Sequence, residues 1–355
     1  MMSTASVSNL STQTSMRLTI RQAQNELLKA QQEVSTGFYA DIGAELGSKT
    51  STVVDLNRES LRLTSMINNN SIATQRLSAS QEALKQMATA AEEMNNALIT
   101  ISGSSNSDTI NTTVMTVSNS LSTMTSMANQ AANGEFLFSG INTDVKPIQE
   151  YTDTSPAKIA FDNAFTTYFG FPPTDTVGTA TIAASGAVPS MEDFIGSVLE
   201  PMYTGADWNT DWSNATDQAM TSRISQSETV QTSTSANEDG FRYFALAAIV
   251  TKELLAIGAP ANAVSVAINK AIDYTGRAIS GINATRSELG LSENRVEKAD
   301  ASLRVQVDII ETSLSSKIEV DAYEASTRVN SLLSMVEASY TLTARIQGLS
   351  LVNYL

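Results

Sequence analysis

The sequence predicts a mainly α protein. Its N- and C-terminal segments form a long antiparallel helical hairpin, and a β-rich or irregular outer domain is inserted between them. Three observations predict this. Apolar residues recur at alternating spacings of four and three through both ends of the chain, which is the period of a helix seam. Six of the seven prolines fall between Pro147 and Pro201, where Gly, Thr and aromatic residues also rise. The longest apolar run, Phe244 to Val250, is far below the roughly 20 residues a bilayer requires.

The elements follow in order. Met16, Ile20, Ala23, Leu27, Ala30 and Val34 place a seam on a first helix that stops at Ser35-Thr36-Gly37. The stretch 37–50 reads as loop. A second helix runs from near Ser51 to about Ile101, and Leu77, Ser80, Leu84, Met87, Ala91, Met94, Leu98 and Ile101 form its most regular half. That half alone spans roughly 36 Å. After a turn at 103–108, a third helix carries Ile110, Val114, Val117, Leu121, Met124, Ala128 and Ala131 in the same order. Two long helices joined by a short loop must lie antiparallel.

Gly134 to Gly140, reading GEFLFSG, ends this run. Gly134 is expected to stop the third helix, Phe136 and Phe138 to share one face of a short strand, and Gly140 to permit a turn. The insert then occupies 144–239, and its alternating stretch Arg223 to Thr232 reads as strand. Helix returns at Phe241–Ile257, breaks at Gly258-Ala259-Pro260 and resumes near Asn262. Leu303, Val307, Ile310, Leu314 and Ile318 continue the stripe, with Val329, Leu332, Val336, Tyr340, Leu342, Ile346 and Leu349 beyond. The chain thus divides into terminal helices 1–40 and 318–355, a helical core 41–143 with 240–317, and the insert 144–239.

Composition removes several functions. A formal net charge of -15 argues against a nucleic-acid groove and against attraction to anionic lipid. With no Cys and no His there are no disulfides, no thiolate nucleophile, no imidazole metal ligand and no Ser-His or Cys-His pair. No catalytic residue, cofactor or metal is expected. GAELGSKT (43–50) has a phosphate-loop look, but Ser48 intervenes between glycine and lysine and no strand precedes it. Asp207-Trp208 and Asp211-Trp212 read as a ligand platform or, more simply, as domain core. Glu92-Glu93 and Glu293/Glu297 read as solvated faces, and Met87, Met94, Met124 and Met127 as adaptable packing.

The ends carry a further signal. Residues 1–16 and 346–355 contain only uncharged side chains, on an otherwise acidic chain. Such ends are expected to be buried against copies or partners, and to be mobile in the monomer until association folds them. The expected assembly surface is Met16, Ile20, Leu27 and Val34 at one end, and Leu342, Ile346, Leu349, Val352 and Leu355 at the other. The start lacks a basic patch followed by an apolar stretch, so the expectation is a cytosolic chain, or one exported without a cleaved signal peptide. From the residues alone, a filament subunit, a cytosolic coiled-coil scaffold and a signalling hairpin stay open.

AQQEVSTG (30–37), ANGEFLFSGINTD (132–144), DAYEASTRVNSLLSMVEASY (321–340) and GLSLVNYL (348–355) together resemble the flagellin superfamily. Within it they resemble the hook–filament junction branch more than flagellin itself. The Arg-Ile-Asn and paired-Asp segment usual in flagellin is replaced here by Gly37-Phe-Tyr-Ala-Asp-Ile-Gly. The resemblance covers roughly 1–145 and 240–355, and it implies an extracellular axial protein of the bacterial flagellum. The partners it implies are copies of itself in a ring-like layer, the other junction protein, flagellin, the type III export apparatus and an export chaperone. Terminal helices would line the inner tube, and the Gly134, Phe136, Phe138, Gly140 turn would lead the chain out of the helical core.

Overall fold

The computed structural model describes residues 9–103, 106–186 and 188–352, and their side chains except at 9, 10, 12, 13 and 346–352. Helix α1 (Asn9–Thr36) ends where Gly37 takes a φ of +78°. The expected loop contains a short α2 (Ile42–Leu46), whose start is capped by the Asp41 carboxylate accepting the Ala44 N–H at 3.0 Å. Helix α3 (Thr50–Gly103) runs 54 residues unbroken. Helix α4 (Ser107–Ala128) opens under an Asn106 cap, whose Oδ1 accepts from the Thr109 N–H, with Asp108 in its first turn. Strands β1 (Ala131–Ala132) and β2 (Glu135–Phe136) form a two-stranded antiparallel ribbon.

The insert is more helical than its prolines suggest. It holds α5 (Pro156–Phe169), α6 (Thr176–Thr179), α7 (Met191–Asp193), a π-helical stretch at Phe194–Leu199, α8 (Glu200–Thr204) and α9 (Asp207–Asp211). Pro156 starts a helix rather than breaking one, under a cap from the Ser155 hydroxyl, whereas Pro201 lies within continuous helix just after the π-helical stretch. Irregular structure fills most of the remainder. The alternating stretch does pair, but as a hairpin rather than one strand: β3 (Thr221–Arg223) lies antiparallel to β4 (Thr229–Gln231). The chain then returns through α10 (Asp239–Leu254), α11 (Ala261–Ile318) and α12 (Ala322–Val352). The seam does not run straight through here, because Glu319 and Val320 leave the helix before α12 begins.

Two compact units emerge. In the larger, residues 65–303, α3 and α11 lie antiparallel: the Ser78 hydroxyl donates to Glu293 and the Gln81 amide to the Arg286 carbonyl, both at 2.6 Å. One continuous apolar core runs through this unit from Leu77 to Val296. Helix α10 lies within it, and the run Phe244 to Val250 is wholly buried. That run is long enough for a core helix and too short for a bilayer. Where α10 meets α11, Gly240 and Gly281 touch backbone to backbone: a Cβ on Gly240 would lie 2.6 Å from the Ile282 nitrogen. The insert's rings fill its own part of the core, with Phe165 and Phe194 edge to face at 5.4 Å and Trp208 stacked on Trp212 at 5.6 Å.

In the smaller unit, residues 9–64 and 304–352, α1 lies antiparallel to α12. The Gln24 amide donates to the Tyr340 hydroxyl at 2.6 Å, and Arg328 meets the buried Glu33 at 3.2 Å. Beyond α1, the Tyr39 N–H donates to the Ile318 carbonyl, and the Val320 N–H donates to the Gly37 carbonyl. Both strands of the pair therefore leave helix at the same level and are stitched there by backbone bonds.

Candidate assembly surface

The sequence-derived seam of α1 faces α12, but its large side chains are only partly covered. Ala23 and Ala30 are buried, Met16, Ile20 and Leu27 are half-buried, and Val34 is 42% exposed. The geometry accounts for this. Two helices bury one line of contact between them, and small residues on that line let the backbones approach while their larger neighbours flank it. Met16, Ile20 and Leu342 come together in one groove of about 460 Å3, with Ser11, Ser15, Thr19 and Ser339. Leu27 and Val34 lie further along the helix, outside that groove. The backbone at Ile346, Leu349 and Val352 is helical, but their side chains lie outside the described residues, as does the whole of Leu355.

The sequence reading missed several apolar residues that point away from the seam. Leu18 (54%), Leu28 (64%) and Met335 (52%) are exposed in the smaller unit, together with Val54, Leu61, Val305, Ile309 and Tyr323. A search restricted to one heptad stripe discards them. Their signal was the presence of a second, off-register set of apolar residues on the same helices. Thirteen of the 22 exposed large apolar side chains among the described residues lie in this smaller unit. Among its described residues only Ala23, Ala30, Val53, Leu63 and Ala325 are buried apolar residues.

The Gly134–Gly140 turn is built differently from the expectation. Helix α4 has already stopped at Ala128, so Gly134 does not end it. Asn133 and Gly134 have φ of 54° and 85°, and Ala132 pairs with Glu135, which is a two-residue hairpin turn of the I′ kind. The dipeptide Asn-Gly was the available signal. Strand β2 ends at Phe136, so Phe136 and Phe138 do not share a strand face: Phe136 is half-buried, while Leu137 and Phe138 both enter the core. Phe138 packs 5.5 Å from Phe241 on α10. The turn expected at Gly140 is present, and the space there explains it. A Cβ would lie 2.3 Å from the Thr216 carbonyl oxygen at a φ of +67°.

Around this turn, hydrogen bonds collect distant segments. Arg76 of α3 pairs with Glu135 at 2.6 Å and donates to the Phe136 carbonyl at 2.9 Å. The Thr216 N–H donates to the Ser139 carbonyl, and the Ala236 N–H to the Phe138 carbonyl. Asn237 then holds the way back. Its side-chain oxygen accepts from the Trp208 indole at 3.0 Å and the Ser213 hydroxyl at 2.6 Å, and its NH2 donates to the Ala215 carbonyl and to Asp217. Both lone pairs of the amide oxygen and both N–H donors of its nitrogen are therefore used. The exit from the helical core and the return to it are therefore tied to one another.

The alternative chemistries fare as their simpler readings had them, except that Glu293 is half-buried and accepts from the Ser78 hydroxyl rather than lying on a solvated face. Trp208 and Trp212 are buried, so they form core and no open platform. Met87, Met94 and Met124 are wholly buried in the seam. Glu92 and Glu93 are exposed on α3. Carboxylate shifts have structural causes: burial first, then Glu288, Asp239 and Asp217, raises Glu238. Burial pushes the Lys158 ammonium down, but Asp162 and Glu253 outweigh it and hold the ammonium above its ordinary range. Among the described residues no group of three or more acidic side chains is arranged to hold a metal ion, and no helix is long and apolar enough to cross a membrane.

The bacterial flagellin N-terminal helical region matches residues 7–143, and the bacterial flagellin C-terminal helical region matches 272–355. Together they take in more than half of the chain. No curated protein sequence matches it. A solved structure from Vibrio parahaemolyticus, assigned as a flagellar hook-associated protein, has a TM-score of 0.53 and 10% identity, over 76% of this chain and 97% of its own. At that identity the likeness is one of fold. The two flagellin helical regions, which together cover more than half of the chain, make it a structural axial protein of the flagellum and a member of the flagellin superfamily.

Proposed function

We propose that this chain forms the layer that joins the hook side of the flagellum to the flagellin filament, at the hook–filament junction. The observation that carries an assembly role is the contrast in apolar exposure: among the described residues the smaller unit leaves thirteen large apolar side chains in solvent and buries few. Burying a fully exposed Leu, Ile or Val contributes roughly 1.5–3 kcal/mol, so contacts by neighbouring copies would stabilise an assembled ring strongly. On this reading Met16, Ile20, Leu27, Val34, Leu342, Ile346, Leu349, Val352 and Leu355 belong to inner-tube contacts. The terminal helices 1–40 and 318–355 gain their full order on assembly. The core 41–143 with 240–317 forms the next shell, and 144–239 points outward.

The junction position rests on GEFLFSG with Thr143, and on Gly37-Phe-Tyr-Ala-Asp-Ile-Gly standing where flagellin has a different segment. The partners would be copies of the chain, the second junction protein, flagellin, and the export apparatus with a chaperone. Export would proceed without a cleaved signal. Deleting the gene tests this. Electron microscopy should show hooks without filaments, and the medium should contain flagellin monomer. Normal filaments would reject an essential axial role. Loss of the filament's own subunit, with no flagellin shed, would identify the chain as flagellin instead.

A further inference from the structure

We propose that a groove between α4 and the entry to the insert binds a small oxyanion, a carboxylate or a phosphate, on the ammonium of Lys252. The groove has a volume of about 560 Å3, enough for a molecule of monosaccharide size, and lies within the larger unit. It is independent of the assembly surface, so its failure would leave the junction reading untouched.

Three charged side chains line it. Lys146 and Glu150 pair with one another at 2.9 Å, which leaves Lys252. The carboxylate next to it in sequence is committed elsewhere: Glu253 accepts from the Tyr151 hydroxyl at 3.0 Å and meets Lys158 at 3.4 Å. Lys252 itself makes no ion pair among the described residues, and its nitrogen lies 4.7 Å from the centre of the Tyr151 ring. Acidic residues outnumber basic ones by 37 to 22 in this chain, yet the half-buried Lys252 has no carboxylate partner among the described residues. The wall charges sum to one positive charge, open to an anion.

The neighbouring wall supplies donors. Ser122 and Ser126, four residues apart on α4, line the same groove, and among the described residues neither hydroxyl has a hydrogen-bond partner. An oxyanion on Lys252 would find hydroxyl donors within the same groove, and hydrogen bonds to a charged group are the stronger kind. The ring of Tyr151 offers no open stacking face, because Trp212 stacks on it at 5.5 Å and Lys252 lies over it. Recognition in the groove is therefore polar and charged rather than aromatic.

Titration calorimetry on the full chain tests the proposal, with sodium glucuronate, inorganic phosphate and uncharged glucose as probes. Glucuronate or phosphate should bind with a Kd of about 10 mM or tighter, glucose should not, and Lys252→Met should weaken binding about tenfold while keeping the stem over Tyr151. Lys252→Arg should restore it. Glucuronate binding alone would assign a carboxylate ligand, and phosphate binding alone a phosphate. Absence of binding by both anions, or equal binding by the Lys252→Met variant, would overturn the proposal and leave Lys252 as a cover for Tyr151.

Discussion

The two compact units are made largely of the same material, long amphipathic helices, and use it in opposite ways. In residues 65–303 the seams of α3, α4, α10 and α11 close on one another around a continuous core. In residues 9–64 with 304–352, α1 and α12 meet along one line, with alanines at the contact and larger apolar residues left outside. The difference teaches that seam regularity alone does not tell self-sufficiency from incompleteness. The number of neighbours around each helix decides that. A helix with one neighbour hides one stripe, whereas α10, surrounded, buries eleven of its sixteen residues.

The largest expected effect would break the comparison at its incomplete side. Leu349→Asp should abolish assembly, seen as loss of junctions by electron microscopy. Circular dichroism and thermal melting of the purified monomer should stay unchanged, since the large core is elsewhere. Normal assembly by this variant would remove Leu349 from the proposed contacts. The complete side should respond in the reverse manner. Trp208→Ala empties a wholly buried position and leaves Asn237 without its indole donor, so it should cost about 3–5 kcal/mol in denaturant unfolding.

Gly140→Ala should cost about 2–3 kcal/mol, through a positive φ together with displacement of the Thr216 carbonyl. The control is Gly134→Ala. Its φ is also positive, but its Cβ would meet open space, so it should cost less. Equal losses would show that backbone strain alone governs the turn.

The smallest effect concerns pH. Glu238 begins α10 among Glu288, Asp239 and Asp217, with Arg242 opposing them, and burial and these carboxylates raise its pKa above the ordinary 4.5. The folded state therefore holds this proton more tightly than the unfolded state. Its contribution is fully present below about pH 4.5 and is lost as pH rises through the folded value. Glu238→Gln should be more stable than the parent chain at pH 7, and the two should converge as pH falls below about 4.5. A parallel pH dependence in both chains would assign the effect to other carboxylates.

Much of the fold was legible because it rests on short-range rules. The seam from Leu77 to Ile101 gave α3, Gly258 and Pro260 gave the break before α11, and Gly37 gave the end of α1. The insert was harder to read. Its prolines point to a β-rich or irregular domain, yet Ser155-Pro156 is a helix start, as capping chemistry allows. The Gly134–Gly140 stretch is half legible: Gly140 signals its turn, but the Asn133-Gly134 hairpin lies outside the heptad pattern, and the strand ends at Phe136, two residues before Phe138.

What the sequence determined by itself is periodicity, charge and breakage. It set where helices run, that none spans a membrane among the described residues, and that imidazole and thiol chemistry is absent from this chain. Only tertiary structure decided which apolar stripes are satisfied. Leu84 and Leu28 both sit on helical seams or beside them, yet one is wholly buried and the other 64% exposed. Burial depends on how many other elements surround a residue, and that number is set by contacts between segments far apart in the chain. The same reason hid Asn237 and Gly140. Their roles come from Trp208, Asp217 and Thr216 arriving from elsewhere, and no local spacing announces such meetings.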